Sequence, residues 1–297
     1  MLPGYNYDSK AYSVNNSGQI VGSANGYLAG QVHACLFDPT GNANNIDLGT
    51  LGGGSSEATS INNNGQIVGK ATNSSDSHAC LFDSSGGGNN RDLGTIGGLS
   101  SCAYSNNDSG QIVGWSARKS SLNGHACLFD STGGGNNIDL GTLSLSSDDS
   151  SALSINNNSK IVGRAYISGS SFACLFDPTG GGANKQLGGL GGVGSAAYSI
   201  NDYDQIVGYA GTSSNDTHAC LFDPTGHGNN IDLNSFIDPS SGWTLIHAYS
   251  INNNSWIVGD GIYSGATHAY LLVIPEPASA MIMAVGAVLL AQRRKLR

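Results

Sequence analysis

The sequence predicts an all-β protein: a β-propeller-like ring of about six four-stranded blades, followed by a short C-terminal hydrophobic helix. The nine residues "INNNGQIVG" at 61–69 return six times in altered form, and successive "IVG" triplets are separated by 47, 45, 49, 45 and 51 residues. Each unit holds four apolar segments of four to seven residues bounded by Gly, Asn, Ser or Asp, which is the pattern of strands and turns. A period between forty and fifty residues with four strands is typical of a propeller blade.

The second full copy of the repeat shows the expected elements in order. "RDLGTI" at 91–96 leads, "CAYSN" at 102–106 and "QIVGWS" at 111–116 form a hairpin, and "HACLFD" at 125–130 completes the unit. Only five copies of the leading strand are evident, and only "MLPGYN" precedes the first unit. We therefore expect residues 1–274 to form six repeats with an incomplete first blade, in a chain that lacks its natural beginning.

Two polar positions recur around the predicted ring. Asn62 has a counterpart in every unit and stands at a chain reversal, so we expect its side chain to bond the turn backbone. A ring of six ligand-binding Asn is the less favoured alternative. His78 and its counterparts precede Ala, but Phe172 fills this position in the fourth unit, which indicates packing between blades or a backbone hydrogen bond rather than a metal site.

Cysteine usage and charge exclude several classes of function. Five of the six Cys share one repeat position, which indicates small buried hydrophobes rather than disulfides, and Cys102 is expected to be a free thiol. Residues 1–275 contain eight Lys and Arg against twenty Asp and Glu, so the basic surface that nucleic acid requires is missing. No motif indicates a metal or a cofactor.

The C-terminal residues 275–297 form a separate segment. Residues 278–291 carry no charge, which is short for a membrane-spanning helix of about 20 residues. A membrane-stop basic cluster follows and should stay in the cytoplasm, placing the repeats outside. Its members are Arg293, Arg294, Lys295 and Arg297. Export requires a secretory signal, and residues 1–30 show none, which agrees with the expected missing beginning.

The repeat resembles the HAF family of bacterial extracellular repeats. The family pattern "DLGTLGG", "S-x-A-x-S-I-N", "G-Q-I-V-G" and "H-A-x-L-F" is matched at 47–53, 56–62, 65–69 and 78–82, although Cys stands where the family has its naming Phe. The resemblance implies an exported repeat protein, and the family brings no established activity.

The tail resembles a PEP-CTERM sorting signal, because Pro275, Glu276 and Pro277 precede the apolar run and the basic cluster. This resemblance implies processing near the triplet by a membrane-embedded exosortase, transient membrane anchoring, and delivery to the cell surface or to an exopolysaccharide matrix. The alternative is an ordinary tail anchor.

Residues that break the repeat are the candidate contact sites. Aromatic side chains beside Asp or Asn can stack on sugar rings and bond hydroxyls, which makes Trp115, Tyr203, Asp204 and Trp243 candidate ligand-binding residues. The repeats hold a single Glu, Glu57, and no catalytic signature, whereas glycoside hydrolysis usually needs two carboxylic acids. We expect a non-catalytic structural or adhesive module with extracellular polysaccharide as a candidate partner. The alternatives are an enzyme acting on polysaccharide and a membrane-anchored glycan-binding propeller.

Overall fold

Six antiparallel sheets form the blades of a β-propeller. The computed structural model describes residues 8–25, 31–42, 44–119, 123–144 and 149–274. First strands of successive blades contact one another, and the turns that follow these strands surround one cavity. The first strands therefore line the centre of the ring, and the later strands of each blade lie progressively further out.

The strands follow the chain order within each blade. Blade 1 comprises β1 (Ser9–Val14), β2 (Ile20–Asn25), β3 (Val32–Phe37) and β4 (Ile46–Asp47). Blade 2 comprises β5 (Ser56–Ile61), β6 (Ile67–Thr72), β7 (Ser77–Phe82) and β8 (Arg91–Gly94). Blade 3 comprises β9 (Gly97–Asn106), β10 (Ile112–Arg118), β11 (Gly124–Phe129) and β12 (Ile138–Gly141). Blade 4 comprises β13 (Ser150–Ile155), β14 (Ile161–Ile167), β15 (Ser170–Phe176) and β16 (Lys185–Gly188).

Blades 5 and 6 follow in the same order around the ring. Blade 5 comprises β17 (Gly191–Ile200), β18 (Ile206–Thr212), β19 (Thr217–Phe222) and β20 (Ile231–Asp232). Two short 3-10 helices follow, Leu233–Phe236 and Pro239–Ser241. Blade 6 comprises β21 (Trp243–Ile251), β22 (Trp256–Tyr263) and β23 (Ala266–Val273).

The expected position of the short "DLG" strand was wrong. β8 pairs with β7 of its own sheet, so it is the outermost strand of blade 2 and not the leading strand of the next unit. Blade 1, which we expected to be incomplete, has four strands, and among the described residues the three-stranded sheet is blade 6. A repeated sequence has the same period whichever strand is taken as the first, so the repeat alone does not show where a blade begins. Only the pairing of the strands decides this.

The Gly that ends each "IVG" triplet permits a bulge in each hairpin. The register between β5 and β6 shifts between Ala58 and Ser60, opposite Gly69. A Cβ built on Gly69 would collide with the carbonyl oxygen of Glu57. A side chain is therefore excluded at this point, as is usual where two backbones approach closely.

Five hydrophobic clusters join successive blades. At the interface of blades 1 and 2, Val21 and Leu48 pack with Ile61, Ile67 and further residues of blade 2, all buried. Corresponding clusters lie at the next four interfaces. Burial of each such aliphatic side chain contributes about 1.5 to 3 kcal/mol, so the core is a chain of similar interfaces rather than one central core.

Side-chain hydrogen bonds add three polar ties at the first four of these interfaces, and one of the three, the turn tie, recurs between blades 5 and 6. In the turns, Asn62 Nδ2 donates to the carbonyl oxygen of Asn107 in the next blade at 2.8 Å. Further out, the Ser101 hydroxyl accepts the backbone N–H of Ala79 at 2.8 Å. At the outer edge, Asn137 Nδ2 donates to the carbonyl oxygen of Leu93 at 2.7 Å. These ties satisfy backbone groups that the sheets leave unpaired.

Candidate functional site

The blades differ from one another most at one pair of positions. The residue that follows "IVG" in the second strand faces a first-strand residue, and in the six blades these pairs are Lys10 with Ser23, Glu57 with Lys70, Cys102 with Trp115, Ser151 with Arg164, Ala196 with Tyr209, and His247 with Asp260. We call these twelve residues the variable belt. Glu57 precedes Asn62 by five residues, so the belt lies roughly 16 Å along the first strands from the Asn turns.

The belt carries an aromatic cluster at the interface of blades 5 and 6. The Tyr198 and Tyr249 rings stack with centroids 5.7 Å apart, and Tyr209 meets His247 edge to face at 5.4 Å. His247 also stacks on Tyr249 at 5.6 Å. Rings in such contact hold one another in place, which gives a rigid, largely apolar surface with polar edges.

Asp260 orients this cluster from the second strand of blade 6. Its Oδ1 lies 2.7 Å from Nδ1 of His247, and its Oδ2 accepts a hydrogen bond from the Tyr249 hydroxyl at 3.1 Å. Burial, together with this bond to a carboxylate, raises the pKa of Tyr249. Burial also raises the pKa of Tyr198 to about 12. Both hydroxyls therefore stay protonated near neutral pH and can act as hydrogen-bond donors.

A second part of the belt lines an open cavity of about 490 Å³ between blades 1 and 2. Lys70 Nζ lies 3.0 Å from Glu57 Oε2, and Tyr12 and Lys10 also line this space. Burial alone would raise the pKa of Glu57, but hydrogen bonds from Tyr12 and Lys70 and the charge of Lys70 bring it below its usual value. Glu57 is therefore held as a carboxylate.

The sequence-predicted ligand residues lie in three separate places. Trp115 belongs to the belt, with its indole against Gly124 of the neighbouring strand, where a Cβ would overlap the ring. Tyr203 and Asp204 lie in the Asn turn of blade 5, and Trp243 lies at the start of β21, where it stacks on Tyr263 at 5.1 Å. The four residues do not form one site.

Asp204 has a structural explanation in its turn. It adopts φ of 63°, at the position that Gly65 occupies in blade 2 with φ of 77°. Its carboxylate accepts hydrogen bonds from Lys160 Nζ at 2.7 Å and from Asn156 Nδ2 at 3.0 Å. Asp204 is thus engaged with blade 4, and Tyr203 beside it is 71% exposed.

Sequence reasoning missed most of the belt, including Lys70, Arg164, Tyr209, His247 and Asp260. One signal could have found it. When the six copies are aligned on "IVG", the next residue is Ser, Lys, Trp, Arg, Tyr and Asp in turn. A position that differs in every copy, beside a triplet that never changes, indicates a side chain that the common framework of the blades does not require to be the same.

The two recurring polar positions are structural in the described residues. Asn62 Oδ1 accepts the backbone N–H groups of Asn64 and Gln66 at 3.1 and 2.9 Å, which confirms the predicted bond to the turn. The His position makes the expected backbone hydrogen bond in blade 2, where Nε2 of His78 lies 3.1 Å from the carbonyl oxygen of Leu99 in blade 3. Its Nδ1 lies 2.8 Å from the Asp92 carboxylate of the fourth strand, a contact that was not predicted. Blade 4 replaces both partners, with Phe172 and Gln186.

The turns line a central cavity, and the thiols are buried. Asn and Asp side chains from all six turns surround a polar cavity of about 470 Å³ at the centre of the ring. All six Cys are free and buried, which confirms their assignment as buried thiols, and burial raises the pKa of Cys102 to about 12. Within the described ranges, no three His, Cys, Asp or Glu side chains converge as a metal site.

Comparison with known proteins gives no family for this chain: no protein-family model and no curated protein matches it. The Pro275–Pro277 triplet, the apolar run and the basic cluster lie outside the described residues. In the part of the chain that the structure covers, no helix has the length and apolar character needed to cross a membrane.

Proposed function

We propose that this protein is a non-catalytic surface or matrix module that binds saccharide through the variable belt. One observation carries the proposal: five of the six blades share a framework of Asn, Ser and Asn ties, while the belt presents a different pair of side chains in each blade. Repeated residues build the ring, and residues that differ in every blade are free to serve recognition.

The composition of the belt favours a saccharide over a peptide or a nucleic acid. The Tyr198, Tyr209 and Tyr249 rings offer apolar faces for the C–H groups of a sugar ring, and their hydroxyls offer hydrogen bonds. The acidic charge of the repeats disfavours a polyanion such as nucleic acid.

The same geometry favours binding without cleavage. A glycosidase acid must carry a proton at the working pH, which requires a raised pKa. Glu57 is held ionised by Lys70 and Tyr12, and Asp260 is bonded to His247 and Tyr249. Both carboxylates are therefore occupied by hydrogen bonds to neighbouring side chains, which does not suit the role of a general acid.

A glycan panel with parallel measurement of released reducing ends tests the activity. The proposal expects retention of the protein on at least one polysaccharide without release of reducing ends. Cleavage would establish a polysaccharide-active enzyme, and absence of any retention would contradict saccharide binding.

The resemblance of the tail to a PEP-CTERM signal supports placement at the cell surface. Exosortase processing predicts that the exported protein loses the residues beyond the Pro-Glu-Pro triplet only in cells that contain the enzyme. Mass spectrometry of the C-terminal peptide from cells with and without exosortase measures this. An intact basic terminus in both strains would mean an ordinary membrane anchor.

A further inference from the structure

Among the described residues, the Arg164 guanidinium has no anionic partner. Lys70 pairs with Glu57 and Lys160 pairs with Asp204. In the described part of the chain, no carboxylate lies within 4.0 Å of Arg164, and its Nε is buried without a hydrogen-bond partner. A donor on a charged group is costly to leave unpaired, so the Arg164 guanidinium can donate hydrogen bonds from its terminal N–H groups to an anion from outside the chain.

One tyrosine lies beside this cation, and two others respond to its charge. The Arg164 guanidinium lies 5.9 Å from the centre of the Tyr166 ring. Burial raises the pKa of Tyr104 and of Tyr198 to about 12, and the charge of Arg164 opposes this rise in both. The charge of Arg164 therefore acts on tyrosines of both neighbouring blades, Tyr104 of blade 3 and Tyr198 of blade 5, and Tyr198 belongs to the aromatic cluster.

We propose that Arg164 binds the anionic group of an acidic saccharide whose ring packs on the neighbouring tyrosines. A guanidinium presents two parallel N–H donors that match a carboxylate or sulfate, and a nearby aromatic surface suits the adjoining sugar ring. This inference rests on the proposed saccharide binding and adds the class of ligand.

The test compares polyglucuronate with a neutral glucan of matched length, using the full chain. Arg164→Met is expected to weaken polyglucuronate binding at least about tenfold, because it removes a charge-assisted hydrogen bond, and to weaken neutral glucan binding much less. Arg164→Lys keeps the charge but loses the paired donors, so it should weaken binding to a smaller degree.

Arg91→Met is the matched control, because it changes the net charge equally on an outer strand where Arg91 bonds the Ser131 carbonyl. Equal weakening by Arg91→Met, or unchanged binding by Arg164→Met, would overturn the inference. Neutral glucan binding without preference for polyglucuronate would overturn it while leaving the proposed function intact. Binding of no saccharide would sink the proposed function itself.

A different observation concerns the seam between blade 6 and blade 1. Val258 is 45% exposed, although the equivalent Val21, Val68, Val113, Val162 and Val207 are fully buried. Val14 is 64% exposed, although Ile61 and its other Ile equivalents are 5 to 6% exposed. In blades 1 to 5 the next blade covers the face that holds this Val, but in blade 6 the same face is exposed to solvent. In blades 2 to 6 the first-strand edge packs on the preceding blade, but in blade 1 the same edge is exposed.

The polar ties end at the same seam. Asn201 donates to the Asn252 carbonyl at 3.0 Å, but Asn252 makes no corresponding bond to a further blade among the described residues. The charges also match, because Asp260, which accepts a hydrogen bond from Tyr249, stands at the exposed end of blade 6 and Lys10 stands on the exposed edge of blade 1. At the neighbouring interface, Tyr12 bonds Glu57 in this way.

We infer that the blade 6 face binds the blade 1 edge of a second copy, head to tail. Such a heterologous contact propagates from copy to copy unless the assembly closes. Light scattering of the full chain over a range of concentrations should show assemblies that grow with concentration.

Two variants give the sharper test. Val14→Asp alters only the edge and Val258→Asp alters only the face, and both positions are exposed enough to leave folding intact. Each variant alone should be monomeric, and an equal mixture should form dimers and nothing larger. A wild-type protein that is monomeric at every concentration would contradict the inference. Association that persists in both variants would assign it to another surface, such as the apolar tail.

Discussion

The Asn turns should stabilise the ring through bonds between blades, and replacement of Asn62 by Ala measures this contribution. Asn62 is 4% exposed. Its Oδ1 accepts two backbone N–H groups, and its Nδ2 donates to Gln66 Oε1 at 2.7 Å and to the Asn107 carbonyl at 2.8 Å. At about 1 kcal/mol for each hydrogen bond, Asn62→Ala should lower the free energy of unfolding by about 3 to 4 kcal/mol.

Asn252 in blade 6 provides a control within the same chain. Its Oδ1 accepts the N–H groups of Asn254 and Trp256 at 3.0 and 2.9 Å, but its side chain is exposed and, among the described residues, it donates to no further blade. Asn252→Ala should therefore cost about 1 kcal/mol, because exposed groups can bond water instead. Urea unfolding followed by circular dichroism gives both values.

The difference between the two substitutions isolates the contribution of the Nδ2 bonds and of burial. We expect about 2 to 3 kcal/mol. Equal losses at Asn62 and Asn252 would refute the reasoning, since they would mean that the side chain serves only its own turn.

Three further predictions follow from the framework. The bond to Asp47 raises the pKa of His33. The stability that this bond gives the fold is therefore complete below the unfolded pKa of about 6.5 and is lost as pH rises through the folded pKa. His33→Phe should flatten the pH dependence of the unfolding free energy in this range, and an unchanged profile would contradict the assignment. Hydrogen bonds from the Ser85 side chain and backbone lower the pKa of Asp83 to about 2, so an NMR titration of Ser85→Ala should show a higher pKa, whereas an unmoved value would exclude the side-chain bond. Gly69→Ala should destabilise the protein by at least 1 kcal/mol in urea unfolding, because its Cβ would collide with backbone, and a neutral result would show that the bulge adapts.

Much of the fold could be predicted because the responsible signals are local. The stretch 61–69 predicted a strand, a turn and a strand, and β5 and β6 are joined by that turn. Asn62 could be assigned to the turn backbone because its partners, Asn64 and Gln66, lie within four residues.

Features that depend on strand pairing were beyond sequence reasoning. Arg91–Gly94 lies next to blade 3 in the chain but pairs with blade 2, and nothing in its composition distinguishes the two arrangements. The contact of His78 with Asp92 joins residues fourteen positions apart, which only the pairing of β7 with β8 brings together. Phe172 was an argument against a metal site at the His position, but it did not reveal that Gln186 replaces the Asp partner in the same blade.

The candidate site was hard to predict for a different reason. A search for repeats finds positions that stay the same, and it recovered the framework. The belt consists of positions that change, and its members are brought together across blades, as Tyr209 and His247 are. Trp115 was identified because Trp is rare in this chain, whereas Tyr209 and Asp260 are inconspicuous in the sequence.

The most direct test of recognition by the variable belt compares two Tyr→Ala substitutions in blade 5. Tyr209 belongs to the belt, and Tyr203, six residues earlier, is exposed in the Asn turn. Retention of the full chain on the glycan panel should be lost with Tyr209→Ala and kept with Tyr203→Ala, with both variants folded by circular dichroism. Loss with Tyr203→Ala and retention with Tyr209→Ala would move recognition to the turn face of the ring and contradict the account.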